Sequence, residues 1–565
     1  MLLNDMEPFE KKENMDPYGL ANTTPYGHGT VEAIAPNSKG THRSISSRQS
    51  VMIAIGGIIG TGLFVGSGQA LARVGPGFLL FAYVVLGSFV YAMISATTTV
   101  ASYLPMQGAS MAAYGTRYVS RSLGFAMTWL YWYSFSISIS YEITAATVLI
   151  DYWPNPVPTG VWLTILFLVV LSLNLLPVKY YAETEFWFAS TKVLLISGLL
   201  VLSVVLLFGG GPSHERLGFR YWESPGAWFP YLVGGASGRV CAFIYALTFS
   251  TFSFAFGPEL VVLTAGEMKA PRHTLPRVSN TFIWRLAFFY ILGALGIGII
   301  CSPTAPGLVS GAGNAAASPW VIGIQDSGIR GLDSVVNAGV LLSAWSAGNA
   351  YLYMASRTLY GSALNGNAPK IFSRCTKSGI PIYAVLGSAA IGLLSYLNLS
   401  SSTSVVFNWF ISITNSGGFI SWICCCIIFI RFMQAVEVQN IKDLPYQSIL
   451  QPYAAWASLV FFTLLLLLNG FSVFFPGHWD TPTFVTSYIG IPIFLGLFLT
   501  HKLIHYNEPW AISSDQVDMH TGLAELKVME EEARLERLEK REKSGPSIKK
   551  RVKNRIYLVV CKRSG

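Results

Sequence analysis

Apolar runs of about twenty residues, separated by short polar connections, recur along almost the whole chain. Windows near 48–68, 77–103, 122–150, 160–177, 186–208, 239–264, 282–301, 335–360, 382–398, 405–431, 453–475 and 484–505 are each long enough to cross a bilayer as a helix. Their length and continuity point to helices rather than a barrel, whose strands read as about ten alternating residues. The pattern predicts an all-α polytopic membrane protein with twelve transmembrane helices over 48–506. Polar tails flank it at 1–47 and 507–565.

Two windows are interrupted. In the first, VMIAIGGIIGTGLFVGSG (51–68), four of the seven residues from Gly56 to Gly62 are glycine. Each glycine inside a helix costs roughly 0.5–1 kcal/mol relative to alanine. Gly56 and Gly60 have the spacing of a helix-packing face. The sixth window, FSTFSFAFGPELVVLTAGE (249–267), carries Gly257-Pro258, and proline lacks the donor that a helix interior needs. Irregular backbone at membrane depth is tolerated only where it lines a cavity. Paired interruptions in corresponding windows, here five windows apart, point to a transporter site. Bare N–H groups around Gly60, Thr61 and Gly62 suit a carboxylate, and freed carbonyls suit an ammonium. An α-amino acid is the simplest molecule with both.

Composition agrees. Hydrophobic residues make up 52% and charged residues 12% of 565, with mean hydropathy +0.48; soluble domains carry about 25% charged residues. The net charge of +9 does not signal nucleic acid, because its excess lies in short loops and the carboxyl tail. With the amino terminus inside, thirteen basic residues flank the inner helix ends, Arg117, Arg121, Arg272 and Arg357 among them. Five flank the outer ends, Arg73 and Arg330 among them. This bias predicts two cytoplasmic termini. The carboxyl tail holds a charged helical stretch and the basic run KKRVKNR (549–555), and the tails are candidate contacts for trafficking and ubiquitin machinery. The first span, rather than a cleaved leader, is expected to target the chain. Seven cysteines without a C-x-x-C pair suggest soft core residues, not a metal site or disulfides.

Ionisable groups inside the windows each cost at least ~2.5 kcal/mol on insertion scales and need a reason. Glu259 follows the second break directly. Glu142 lies in SISYEITAAT, and Lys192 lies six residues into the fifth window. Burial favours the neutral form of carboxyls and amines alike, so each can exchange a proton; otherwise Glu259 bonds backbone, Lys192 snorkels, and Glu142 meets a partner on a neighbouring helix or the substrate. Glu267, near Lys269 and Arg272, reads as part of an inner salt-bridge network. Ser346, Asn349 and Tyr353 recur at helical spacing, either lining the pocket or joining helices.

GGIIGTGLF (56–64), PELVVLTAGEMKAPRHTLPR (258–277), SRTLYGSALNGNAPKIF (356–372) and Asp518-x-x-Thr521-Gly522 resemble the yeast amino-acid transporter family of the amino acid–polyamine–organocation superfamily. The resemblance covers roughly 45–525. It implies the leucine-transporter fold, two inverted five-helix repeats plus two further helices, and proton-coupled amino-acid uptake, mostly at the fungal plasma membrane. It implies that Gly60, Thr61 and Gly62 hold the substrate carboxylate, and that carbonyls of Ile58, Phe254, Ala255 and Phe256 hold the ammonium. Lys192 would stand where sodium-driven relatives bind their ion, so that a proton is the coupling ion and no cofactor is needed. The chain reads FAFGPE where relatives commonly have FAGTE or FQGTE, so the aromatic closing over the substrate is Phe252, Phe254 or Phe256.

The expected activity is import of neutral amino acids, proline included, by proton symport. The rival is a non-transporting amino-acid receptor of the same fold, which the short amino-terminal tail disfavours. No Ser/His/Asp or metal constellation suggests an enzyme.

Overall fold

Each apolar window lying within the described residues is occupied by helix. The computed structural model describes residues 60–106, 110–257, 259, 262, 271–309, 318–399, 403–524, 526–528, 530, 531, 535 and 538. Ile58, Pro258, Glu267, Lys269 and the basic run 549–555 lie outside them. Among the described residues there are no strands. Seven helical runs are long and apolar enough to cross a membrane, and two shorter apolar helices accompany them.

A π-helical turn, Gly62–Gly66, leads into α1 (Ser67–Tyr103). α1 is kinked at Gly75 and Pro76. Gly75 has φ +83°, and a Cβ there would meet the Ala227 carbonyl at 2.7 Å, so the segment around Ala227 fits into the kink only against glycine. α2 (Met111–Tyr118) is short. α3 (Arg121–Ile150), α4 (Thr159–Asn174), α5 (Val178–Leu207) and α6 (Gly235–Ser250) follow. After them come α7 (Pro271–Ile300), α8 (Pro319–Asp326), α9 (Leu332–Leu364), α10 (Ile382–Gly392) and α11 (Thr403–Val438), and then α12 (Tyr453–Leu468), α13 (Thr481–Tyr488) and α14 (Gly490–Ile504).

α3 is the centre of the bundle. Its most apolar stretch is 94% buried, against 6% for the stretch over Thr481–Ile504, which lies at the periphery. Serine and threonine explain the difference. Small hydroxyl residues let α9, α10 and α11 approach closely, and several satisfy themselves on their own helix. Ser138 Oγ donates to the Ser134 carbonyl (2.8 Å) and Thr144 Oγ1 to the Ser140 carbonyl (2.7 Å). Ser140 Oγ instead reaches the Ile391 carbonyl on α10 (2.9 Å).

The carboxyl tail is fastened to the carboxyl-terminal ends of α1 and α2. Arg117 donates to the carbonyls of Asp518 and Thr521 (2.7 and 2.8 Å) and pairs with the Asp518 carboxylate at 3.0 Å. Tyr103 OH donates to the Met519 carbonyl. Arg272 pairs with Glu530 of the tail at 3.6 Å.

Candidate functional site

The second interruption begins before proline. A 3-10 turn, Thr251–Phe254, ends α6. Ala255 is then extended (ψ 135°), and Phe256 is left-handed, with φ +59°. A phenylalanine in that region is strained, so the surroundings must hold it there. Its ring packs edge-on against Phe135 of α3, with centroids 5.3 Å apart. The helix is thus unwound at Ala255–Phe256, immediately ahead of Gly257.

The first interruption is described from Gly60 onward. Gly60 sits in a bend, and its Cβ position lies 3.0 Å from Glu142 Oε1 and 3.6 Å from the methyl of Ala347 on α9. Thr61, fully buried, places its Oγ1 2.7 Å from Tyr141 OH and 3.0 Å from Glu142 Oε2. One hydroxyl proton serves one acceptor. Thr61 can donate to the carboxylate and accept from the phenol.

The two interruptions touch. A Cβ at Gly62 would lie 2.9 Å from Ser253 Oγ and 3.0 Å from both Phe252 Cε1 and Ser253 Cα. Of the three candidate rings, Phe252 is therefore the one against Gly62. Phe254 is turned toward Tyr83 and Tyr290 (centroids 5.6 and 4.8 Å), and Phe256 toward Tyr131 and Phe135. Tyr141 joins the two breaks, its hydroxyl on Thr61 and its ring edge-on to Phe252 at 4.5 Å. Tyr83 OH shares a hydrogen bond with Ser253 Oγ (3.0 Å), and Tyr290 OH donates to the Ser253 carbonyl (2.8 Å). The crevice among Gly62, Gly66, Ser67, Tyr83, Phe249, Ser250, Phe252 and Ser253 is too narrow for water. An entering molecule must first part Phe252 from Gly62.

Lys192, 1% exposed, does not snorkel. The charges acting on its ammonium are the carboxylates of Glu185, on its own helix, and Glu142, on α3. A buried ammonium flanked by carboxylates is tolerable where an isolated one is not. Glu142 therefore faces the first break and Lys192 at once. Glu259 lies in a second polar centre, where Ser421 of α11 bonds Oε1 and also meets Tyr131 OH at 2.9 Å. Ser346 sits against Glu185, with Oγ 3.1 Å from Oε1, so it joins α9 to α5, and Ala347 is the α9 residue at Gly60.

Sequence reading missed Glu185, Tyr141 and Ser253. Glu185 carried a signal. It precedes Lys192 by seven residues, two helical turns on one face. Tyr141 and Ser253 carried none, since the juxtaposition of the breaks defines them.

Interrupted helices meeting over buried charges suit a membrane carrier, and the comparisons agree. The fold is similar to that of the manganese transporter of Eremococcus coleocola, with TM-score 0.50, 12% identity, and coverage of 82% of this chain and 94% of that one. The amino acid permease family profile matches residues 49–510, and the chain belongs to that family of integral membrane transporters. Similar relatives include a proline-specific permease of Emericella nidulans, 46% identical over 516 residues (90% of this chain, 94% of that one). Another is a proline-specific permease of Saccharomyces cerevisiae, 42% identical over 494 residues (86% and 79%).

Proposed function

We propose that this permease imports neutral amino acids, proline foremost, by symport with a proton across the plasma membrane. The reading includes twelve spans, two inverted five-helix repeats plus two further helices, and both termini in the cytoplasm. The inner bias of loop charge and the breaks five windows apart support that arrangement.

One observation carries the substrate reading: the contact of the two breaks at Gly62, Phe252 and Ser253, beside Thr61 and Glu142. An amino acid entering there places its carboxylate on the N–H groups of Gly60, Thr61 and Gly62. Its ammonium lies toward Glu142 and the freed carbonyls of Phe254, Ala255 and Phe256. Phe252 closes over it. The walls of the crevice present rings and hydroxyls and no charged side chain, which suits an apolar side chain. The names of the similar permeases favour proline within that class. The receptor alternative has no observation in its favour.

Proton coupling rests on Lys192 and Glu142, with Glu259 as a separate candidate. A charged Lys192 stabilises the closed, loaded site. Loss of that proton to the inner side loosens it. Purified protein in liposomes tests the whole reading, with a panel of labelled amino acids offered with and without an inward proton gradient. Gradient-driven accumulation of proline is the expected result. Accumulation that ignores the gradient removes the symport reading, and accumulation of charged amino acids alone removes the substrate reading.

A further inference from the structure

We propose that Glu185 is the inner proton station of this carrier, the carboxylate through which a proton leaves Lys192 for the cytoplasmic ends of α5 and α9. The proposal rests on the symport reading above and adds the route.

Glu185 is fully buried, two turns from Lys192 on the inner side of the same helix face, a separation of about 10 Å along the axis. Ser346 bonds Oε1 at 3.1 Å, and Asn349, one turn further along α9, is the other α9 group acting on the carboxylate. Oε2 is buried without a close hydrogen bond among the described residues, and the Asn349 Nδ2 donor that acts on this carboxylate is likewise buried without one. Buried carboxylate oxygens are seldom left so, and this one is poised to accept a proton.

Charge counting explains why a second carboxylate is present. Lys192 with Glu142 alone is neutral as an ion pair and has no electrostatic reason to exchange a proton. With Glu185 ionised as well, the cluster carries −1. Uptake of one proton brings it to zero, and buried net charge is what the bilayer interior disfavours. In release, with the incoming proton held on Glu142, Lys192 gives an N–H proton to an intervening water and that water gives one to Glu185, so the cluster passes from zero to −1 and no further when Glu185 gives its proton up. Glu185 then gives that proton to water at the inner face. The neutral amine is recharged from the outer side through Glu142.

The groups between Glu185 and the inner surface are polar and aligned. Tyr181, one turn nearer the cytoplasm, stacks on Tyr353 of α9 with centroids 4.2 Å apart. The Arg357 guanidinium lies 4.8 Å over the Tyr353 ring. Ser346, Asn349, Tyr353 and Arg357 thus form one stripe along α9, which meets Glu185 and Tyr181 on α5.

The test uses purified protein in liposomes with labelled proline. Wild-type uptake should rise with an inward proton gradient and slow as the lumen is acidified. Glu185→Gln should lower gradient-driven uptake about a hundredfold, the lower end for a lost proton-transfer group. It should keep proline–proline exchange at the wild-type rate and lose the dependence on luminal pH. Glu185→Asp should recover part of the driven uptake. A purely structural role would reduce exchange and driven uptake together and leave the luminal pH profile in place, and that result overturns the proposal. Driven uptake by Glu185→Gln equal to wild type overturns the assignment while symport stands. A wild type indifferent to the gradient overturns symport, and this route with it. If Glu185→Gln aggregates on gel filtration, Glu185→Asp decides: slowed driven uptake with intact exchange supports the route, and wild-type behaviour refutes it.

Discussion

Thr61 Oγ1 lies 3.0 Å from Glu142 Oε2, across 81 residues of sequence, and ties the start of the first described helix to the centre of the bundle. Glu142→Gln keeps the shape and removes the charge. A charge-assisted hydrogen bond is worth about 1.5–3 kcal/mol, so proline affinity should fall roughly 10- to 150-fold. Equilibrium binding to detergent-solubilised protein measures this. Unchanged affinity would mean that Glu142 only braces Thr61.

Gly62 and Gly66 make a matched pair. A methyl at Gly62 meets Ser253 Cα at 3.0 Å, which is backbone and cannot turn aside, whereas one at Gly66 meets Phe252 Cδ1 at 3.9 Å, an ordinary contact. Gly62→Ala should lose measurable proline binding and lower the melting temperature. Gly66→Ala should bind as wild type. Gly62 supports both the closed packing and the proposed ligand site, so the two losses go together. Equal behaviour of the two variants would sink the idea that the breaks meet at Gly62.

Lys192→Ala removes the buried ammonium without adding volume. The span should still insert, since losing a buried charge eases insertion. Proline exchange should survive and uphill accumulation should not. Accumulation at the wild-type rate would move coupling to Glu259.

The tail carries a pH prediction. Burial opposes ionisation of Asp518, but N–H bonds from Thr521 and His520 and the Arg117 guanidinium outweigh it, and the carboxyl is held below its ordinary value. A lowered folded value means stabilisation above the unfolded value of about 3.9, lost as pH falls through the folded one. Asp518→Asn should therefore loosen the tail at pH 7 by roughly 1 kcal/mol or less, since the pair is partly exposed. Its difference from wild type should begin to shrink near pH 4 and vanish only below the lowered folded value. Limited proteolysis after residue 506 reports the loosening, and equal cleavage rates at pH 7 would refute it.

Cys375 tests topology. It is half-buried, while Cys241, Cys301 and Cys424–Cys426 are buried. With Cys561 replaced by serine, an impermeant thiol reagent should label Cys375 in inside-out vesicles and spare it in intact cells. Labelling of intact cells would invert the proposed orientation.

Hydropathy alone placed the helices, because lipid forces each crossing to satisfy its own backbone and to be apolar for about twenty residues. It also exposed both interruptions, since glycine and proline at membrane depth need a reason. Edges were less legible. The first two windows run into one another until the Gly75 kink, and the ninth ends in a 3-10 turn, Leu393–Leu399. Arg272 shows a further limit, for its pairing with Glu530 joins residues far apart in the chain.

Sequence by itself determined the helical membrane class, the break ahead of Gly257 and the buried charges Glu142, Lys192 and Glu259. Those are properties of single segments, set by transfer free energy and local backbone chemistry. Tertiary structure decided which groups meet. Phe252, not Phe254 or Phe256, faces Gly62. Ser346 serves Glu185, and Glu259 lies with Ser421 rather than with Thr61. The choice depends on how α6 unwinds at Ala255–Phe256 and how α3, α5 and α9 are rotated about their axes. Helical spacing says which residues share a face but not which neighbour that face meets. Close packing among small residues on different helices settles the neighbour, and that contact is non-local.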